Sequence, residues 1–445
     1  MKQRQHRQPK RAAALRLPAA PLPEETTISR VGADGDGVGA LASGIPLYIP
    51  FSLPGERVVA RPIARHGEGW TAIAESIVEA SAERTTPPCA HFGTCGGCVA
   101  QHWREAGYHA WKIALLQAGL RRAGYGDAPI APIVAGVPGS RRRIDLAARR
   151  LPAGVRLGLH RARSSEVVDL TECTILHPVL FALIAPMRAL LTRLRTFRKE
   201  ASVVVNLLDS GPDFLLRGDS PLEQTDRNLL IEFARSHALP RVSWAEDADT
   251  PETVCLLRPA ITSLSGTSVT PPPGAFLQAT SVGEQAIVER VLAALPTKLT
   301  NKSRVAELYA GCGTITFALA PKIRVVAFEG DRDAFTALRA AANNPATGGR
   351  VEAIQRDLTR QPLLVKELSS FAAVVLDPPH NGAPEQTAQI AASGVRTVIY
   401  VSCNPAALAR DGLLLKQAGY RLESVTPIDQ FLWSARLESV CVFRR

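Results

Sequence analysis

Three apolar runs, each closing on a different chemical group, constrain this chain most strongly. Val305-Ala306-Glu307-Leu308-Tyr309 opens into Ala310-Gly311-Cys312-Gly313-Thr314, and Val374-Val375-Leu376 closes on Asp377-Pro378-Pro379. Thr397-Val398-Ile399-Tyr400-Val401-Ser402 ends at Cys403-Asn404-Pro405. Runs this apolar, alternating with helical segments, predict buried strands of a doubly wound parallel sheet. Such sheets bind ligands beyond the carboxyl ends of their strands, so a glycine turn, an acid and a thiol are expected to face one crevice.

At 445 residues the chain is too long for a single core and should divide into two to four domains. Its 46% hydrophobic and 21% charged composition is that of an ordinary globular protein. It contains no apolar run of the length a membrane span needs, so no membrane association is expected. The first residues carry Lys2, Arg4, Arg7, Lys10, Arg11 and Arg16 without the apolar stretch of a secretory signal. Residues 1–25 read as a disordered basic tail rather than an organelle leader. The net charge of +11 suits a polyanionic partner, whose phosphates Lys and Arg would contact. Arg141-Arg142-Arg143, Arg149-Arg150 and Arg156, Arg161 and Arg163 concentrate that charge in mid-chain. The 8 cysteines are neither dense nor evenly spread enough for a disulfide framework, and the packing of Cys89, Cys95 and Cys98 points to a metal or a cluster. Their spacing does not separate zinc from iron–sulfur.

Between residues 26 and 82, short β-like runs at 27–31, 46–50 and 56–60 are punctuated by glycine, which predicts a small barrel of the oligonucleotide-binding kind. Asp34-Gly35-Asp36-Gly37-Val38-Gly39 lacks the closing glutamate of a calcium loop and reads as hairpin chemistry. Residues 108–122 predict an amphipathic helix with Ile113, Leu116 and Leu120 on one side. A central α+β domain over 83–270 is expected from β-like segments at 143–148, 155–160 and 202–208 and a helix around 178–192. Pro271-Pro272-Pro273-Gly274 reads as a stiff linker. Residues 271–445 then alternate helix and strand.

Within that last domain, Gly311 and Gly313 would present backbone N–H groups to a ligand without obstruction. Arg324-Val325-Val326-Ala327-Phe328-Glu329 ends in an acid suited to ribose hydroxyls, and Gln355-Arg356-Asp357 brings another acid after the next strand. Together they read as the S-adenosylmethionine site of a class I methyltransferase. Cys403, exposed by the turn that Asn404-Pro405 forces, could attack an electrophilic ring carbon; the competing reading is a small buried thiol. The run 431–440 reads as one β-strand, and its acid Glu438 gains meaning only if it faces Cys403.

With Gly274-Ala275-Phe276-Leu277-Gln278 added, these motifs make the chain resemble the RNA (uracil-5-)-methyltransferases over nearly everything except the basic tail. The resemblance implies a multi-domain fold: a TRAM domain at 26–82, a central domain at 83–270 and a Rossmann-like methyltransferase domain at 271–445. It implies a 4Fe–4S cluster held by Cys89, Cys95, Cys98 and Cys173, with zinc as the alternative. Gln278, Tyr309, Gly311, Gly313, Thr314, Glu329, Asp357 and Asp377 carry over as S-adenosylmethionine contacts, Cys403 as the nucleophile toward uracil C6 and Glu438 as the base. The implied product is 5-methyluridine in 23S ribosomal RNA, with transfer RNA as the other substrate. The implied enzyme is a cytoplasmic monomer without an obligate protein partner. Two positions depart from the family: His380 and Asn381 follow Asp-Pro-Pro where arginine is usual, and Arg436 stands where histidine is common. The departures leave room for a non-catalytic RNA-binding iron–sulfur protein. An amino-group methylase and a 5-methylcytidine enzyme are further readings.

Overall fold

Alternation of apolar and polar residues writes the first sheet. In Arg57–His66, Val58 and Ala60 turn inward to meet Leu47 and Ile49 of Pro46–Pro50, Trp70 and Ala72 of Gly69–Glu79, and Ile28. The computed structural model describes residues 21–247 and 249–445, so the basic tail expected at 1–25 lies outside the described residues up to residue 20. The chain falls into two units that divide between Arg84 and Thr85. The first holds six strands in the order Glu24–Thr27, Arg57–His66, Gly69–Glu79, Pro46–Pro50, Asp36–Ala40, Arg30–Val31. All pairs are antiparallel except Pro46–Pro50 with Gly69–Glu79. The glycine-rich run after Asp34 is the hairpin between Arg30–Val31 and Asp36–Ala40. Glu56 is buried and accepts from the Arg84 guanidinium and the Leu53 amide, which closes this unit's end.

The second unit carries two seven-stranded sheets. One runs Glu252–Leu256, Arg241–Glu246, Gly211–Gly218, Glu200–Leu208, Arg143–Leu151, Gly154–His160, Val167–Asp169. Helices Ile184–Arg193 and Gln224–Ser236 cover one face of it, with Met187, Leu191, Leu230 and Phe233 packed on Leu146, Val203, Phe214 and Leu216. The other runs Val351–Gln355, Arg324–Glu329, Arg304–Leu308, Ala373–Leu376, Thr397–Ser402, Glu438–Arg444, Arg421–Ile428. Its first five strands are parallel, and Glu438–Arg444 enters antiparallel between its neighbours. Both faces of this sheet are buried. Val325, Ala327, Ala373, Val375, Ile399 and Val401 face one core, while Val326, Phe328, Val374, Leu376, Val398 and Tyr400 face the other. Burial on both sides explains why these strands read as continuous apolar runs. From Arg304–Leu308 the chain winds outward one way through Arg324–Glu329 and returns to the opposite side at Ala373–Leu376. The switch point therefore lies between the strands that deliver the glycine turn and Asp377.

Three sequence expectations change. The helix runs Glu105–Arg122, and its buried side is Tyr108, Trp111, Lys112, Leu116 and Leu120, with Ile113 only half-buried. A lysine inside this stripe hid its true orientation. Pro271-Pro272-Pro273-Gly274 is no free linker: the Pro271 carbonyl accepts from Arg241, whose guanidinium also forks onto buried Asp213, and a Cβ at Gly274 would lie 2.6 Å from Leu215. The expected strand over 431–440 begins only at Glu438. Residues 431–437 form turns, with Trp433 at a φ of 57°, because distant partners occupy their backbone groups. Trp433 N–H donates to the Tyr108 hydroxyl, and its carbonyl accepts from the amides of Val99 and Ala100. Among the described residues no helix is long and apolar enough to cross a membrane.

Candidate active site

Strand ends supply the site. Thr397–Ser402 stops at Cys403 because Asn404 caps the next helix, Pro405–Gln417, by accepting from the Ala406 amide with proline at the first helical position. The Asn404 side-chain amide also donates to the His380 carbonyl, 2.9 Å away. Arg410 donates to the Asn381 carbonyl and to Asp411, and Asp411 accepts from the Ala383 amide and the Tyr400 hydroxyl at 2.7 Å each. The loop after Asp377-Pro378-Pro379 is thus pinned beside Cys403 through backbone carbonyls, and His380 takes part with its carbonyl.

Glu438 is the first residue of its strand and is buried, opposite Ile428. Its Oε2 accepts from Gln430 Nε2 at 2.8 Å, while Oε1 is buried without a hydrogen-bond partner. Gln430 Nε2 also donates to Gln278 Oε1 at 2.9 Å, and Gln278 Nε2 donates to Asp377 Oδ2 at 3.1 Å. One hydrogen-bonded chain, Glu438–Gln430–Gln278–Asp377, therefore spans the two carboxyl groups. Burial above all, then the Asp377 charge, pushes Glu438 well above the usual carboxylate range, with the Gln430 hydrogen bond opposing. Burial also raises Asp377, and the Gln278 hydrogen bond lowers it. The Cys403 thiol is pushed up to about 11, first by burial and then by Glu438 and Asp377, while the exposed Arg436 pulls it down. Thiol, base candidate and Asp377 thus share one field at the switch point.

The glycine turn lies next to this cluster. Tyr309 follows the strand Arg304–Leu308 at a φ of 63°, and Gly311 and Gly313 come next at 56° and 102°. A Cβ at Gly313 would come within 2.4 Å of Phe317, whereas the position over Gly311 is open. The Gly311 amide donates to Glu329 Oε2 at 2.7 Å, which joins the turn to the acid of the next strand. Thr314 begins the short helix Thr314–Leu319. Asp357 is exposed and caps its own turn through the Thr359 amide; Gly330 approaches it so closely that a Cβ would sit 3.3 Å from Asp357 Cα. The structure therefore groups Gly311, Glu329 and the surrounding turn on one side, and Gln278, Asp377, Cys403 and Glu438 on the other. Gln278 stands with the carboxyl groups rather than the glycines.

Sequence reasoning missed Gln430, the buried Lys112–Asp429–Tyr108 group beside it, and the Asp411 hub. Lys112 is fully buried, with its ammonium on Asp429 and on the Phe431 carbonyl, and the Tyr108 hydroxyl donates to Asp429 at 2.8 Å. The local signal was a polar Asp429-Gln430 pair directly after the strand Arg421–Ile428, whose last residues are buried.

A second cluster forms before the first long helix. Cys89, Cys95, Cys98 and Cys173 line one cavity with Phe92, Leu159 and Leu170. Burial raises Cys89, Cys95 and Cys98, the last to about 12, and each also feels the Cys173 thiol. Gly96 and Gly97 let this loop lie on the strand Gly154–His160: a Cβ would come within 2.8 Å of the His160 carbonyl and 2.9 Å of Leu159. Among the described residues no three Cys, His, Asp or Glu side chains converge as the ligands of one ion would; the thiols ring a cavity.

Residues 272–445 match the family model described as tRNA (uracil-5-)-methyltransferase. An uncharacterized RNA methyltransferase of Mesorhizobium japonicum is 39% identical over 416 residues, covering 94% of this chain and 97% of that one. The 23S rRNA (uracil(1939)-C(5))-methyltransferase RlmD of Aeromonas salmonicida is 32% identical over 410 residues, covering 90% of this chain and 92% of that one. Among solved structures, the tRNA (uracil-54, C5)-methyltransferase of Pyrococcus abyssi in complex with S-adenosyl-L-homocysteine is similar with a TM-score of 0.70. It is 19% identical and covers 94% of this chain and all of its own, a likeness of fold.

Proposed function

The chain belongs to the RNA (uracil-5-)-methyltransferase family, and on that premise we propose that it methylates C5 of a uridine in 23S ribosomal RNA through a covalent adduct to Cys403. The observation that carries this reading is the meeting of Cys403, Glu438 and Asp377 at the switch point, with one Glu438 oxygen held and the other free. The choice of ribosomal RNA rests on the match to the Aeromonas salmonicida enzyme over nine-tenths of this chain, 90%. Transfer RNA is the second reading, favoured by the description of the family model.

Uracil C5 is a weak nucleophile until C6 has gained a substituent. The Cys403 thiol gives up its proton to solvent, its sulfur adds to C6 with the electron pair so freed, and the ring electrons move to give an enolate. S-adenosylmethionine, when bound, supplies an electrophilic methyl group. C5 would take that methyl as the methyl–sulfur bond breaks with its electron pair going to sulfur and S-adenosylhomocysteine departing, and C5 is then saturated, carrying both methyl and proton. Glu438 Oε1 removes the C5 proton, the C–H electrons restore the C5–C6 double bond, and Cys403 leaves as thiolate. The open position over Gly311, with Glu329 on the turn's amide, fits the cofactor. Tyr309, Gly313 and Thr314 border that turn, and Asp357 closes its far side beside Gly330. The target base must leave its stack to reach the thiol.

The same reading assigns a 4Fe–4S cluster to Cys89, Cys95, Cys98 and Cys173. Four thiols lining one cavity, beside Phe92, Leu159 and Leu170 as well as His91 and Glu172, supply the donor set of a 4Fe–4S cluster, and the family resemblance favours it over a tetrahedral zinc. The four thiols would hold the group as thiolates, and the positive charge of its iron would offset the burial that raises Cys89, Cys95 and Cys98. Residues 26–82 are assigned to a TRAM domain, 83–270 to the central domain and 271–445 to the methyltransferase domain. The enzyme is assigned to the cytoplasm as a monomer.

Labelled methyl transfer from S-adenosylmethionine to unmodified ribosomal and transfer RNA tests the reading, with Cys403→Ala beside wild type. Label in 5-methyluridine of 23S RNA, absent in the variant, is expected. Label in transfer RNA alone would move the substrate; label surviving Cys403→Ala would overturn the thiol mechanism.

A further inference from the structure

Gln430 sits where three parts of the site meet, and every polar atom of its side chain is engaged. Nε2 donates to Glu438 Oε2 and to Gln278 Oε1, and Oε1 accepts from the Ala279 amide at 3.2 Å. The orientation of the amide follows from its partners. A backbone N–H only donates, so the Ala279 amide draws the oxygen of Gln430 and leaves its nitrogen facing Glu438. Packing fixes the side chain as well: a Cβ at Gly283, in the first turn of the helix Ser281–Ala293, would come within 2.7 Å of Gln430 Cβ. The residue before it, Asp429, is buried on Lys112 and Tyr108, so the backbone entering Gln430 is anchored to the helix Glu105–Arg122.

We propose that Gln430 is the positioning residue of the base: it fixes one oxygen of Glu438 and Gln278 together, so that Glu438 Oε1 is presented for C5 proton removal. The inference rests on the covalent mechanism above and adds a division of labour within it. Addition of Cys403 and methyl transfer do not need the aim of Glu438; release of the product does. Gln278 is set by the same amide, so Gln430 also keeps the Gln278 NH2 directed at Asp377. The charged and titratable groups acting on Glu438 and Cys403 from neighbouring elements are Asp377 and Arg436, and Gln430 is the neutral link among them.

Gln430→Met keeps length and volume and removes all three hydrogen bonds. With uridine-containing RNA and S-adenosylmethionine, a single turnover is expected to attach the methyl group at near the wild-type rate. An SDS-resistant protein–RNA complex should then accumulate, kcat should fall roughly 10- to 100-fold, and KM for RNA should stay within about threefold. Gly283→Ala, which displaces Gln430 without removing it, is expected to give the same pattern more weakly. In a Glu438→Gln background, Gln430→Met should add nothing, because a residue acting through Glu438 has no further effect once the base is gone. A fall in kcat of equal size in both backgrounds, or slow turnover without a trapped complex, would overturn the proposal. Failure of the underlying mechanism is separately visible: wild type would then form no complex with 5-fluorouridine RNA, and Cys403→Ala would keep its activity.

Discussion

At the scale of single residues, the site is a contest over one proton. Cys403 is held up to about 11 by burial and by two carboxyl groups, against the nearby guanidinium of Arg436. Removing that cation destabilises the thiolate, so Arg436→Gln should move the thiol's titration to higher pH. Iodoacetamide alkylation of Cys403 at neutral pH should slow, by roughly two- to fivefold given how solvent screens an exposed charge. Glu438→Gln removes a negative neighbour and should speed alkylation. Equal alkylation profiles in all three proteins would show that these charges do not act on the thiol. This residue also shows what sequence could carry. Cys403 and Asp377 were legible because each ends a continuous apolar run, and such runs mark doubly buried strands whose ends meet. Arg436 was visible only as a departure from a family pattern, since nothing in a linear chain says which cation lies near a thiol thirty-odd positions away.

At the scale of elements, the decisive piece is the turn-rich stretch from Asp429 to Leu437. It looks like the start of a strand because it contains Phe431, Leu432 and Trp433, yet it is held as turns by the helix Glu105–Arg122 and by the backbone just after Cys98. Lys112 is the anchor. Lys112→Met leaves the Asp429 carboxylate buried with only the Tyr108 hydroxyl, and breaking such a pair from one side costs about 3–5 kcal/mol. Urea unfolding should register that loss, and adding Asp429→Asn should recover part of it by removing the orphaned charge. A loss below about 1 kcal/mol would mean water reaches this group. Neither partner announces itself in sequence. A lysine within an apolar helical stripe reads as surface, and only a carboxylate more than three hundred positions away makes its burial tolerable.

At the scale of the whole molecule, the second unit joins its two candidate centres. Val99 and Ala100, directly after Cys98, donate to the Trp433 carbonyl, and that loop leads through Gln430 to Glu438. Anaerobically purified protein is expected to hold iron and acid-labile sulfide at about four of each per chain. Cys98→Ser should lose them and raise amide hydrogen exchange across residues 429–437. One zinc per chain would support the alternative metal, and unchanged exchange would separate the two centres. The chain's order of apolar runs, glycines and acids determined the parallel sheet, its switch point and the identity of the groups gathered there, because strand burial and crossover geometry follow from local pattern and elementary chirality. Which side chains touch across that crevice was decided by the tertiary structure alone. The Glu438–Gln430–Gln278–Asp377 chain, the buried Lys112 and the bend at Trp433 depend on hydrogen bonds between residues far apart in sequence. Such bonds carry no period for a reader of the chain to detect, and they form only once burial has removed the competing water.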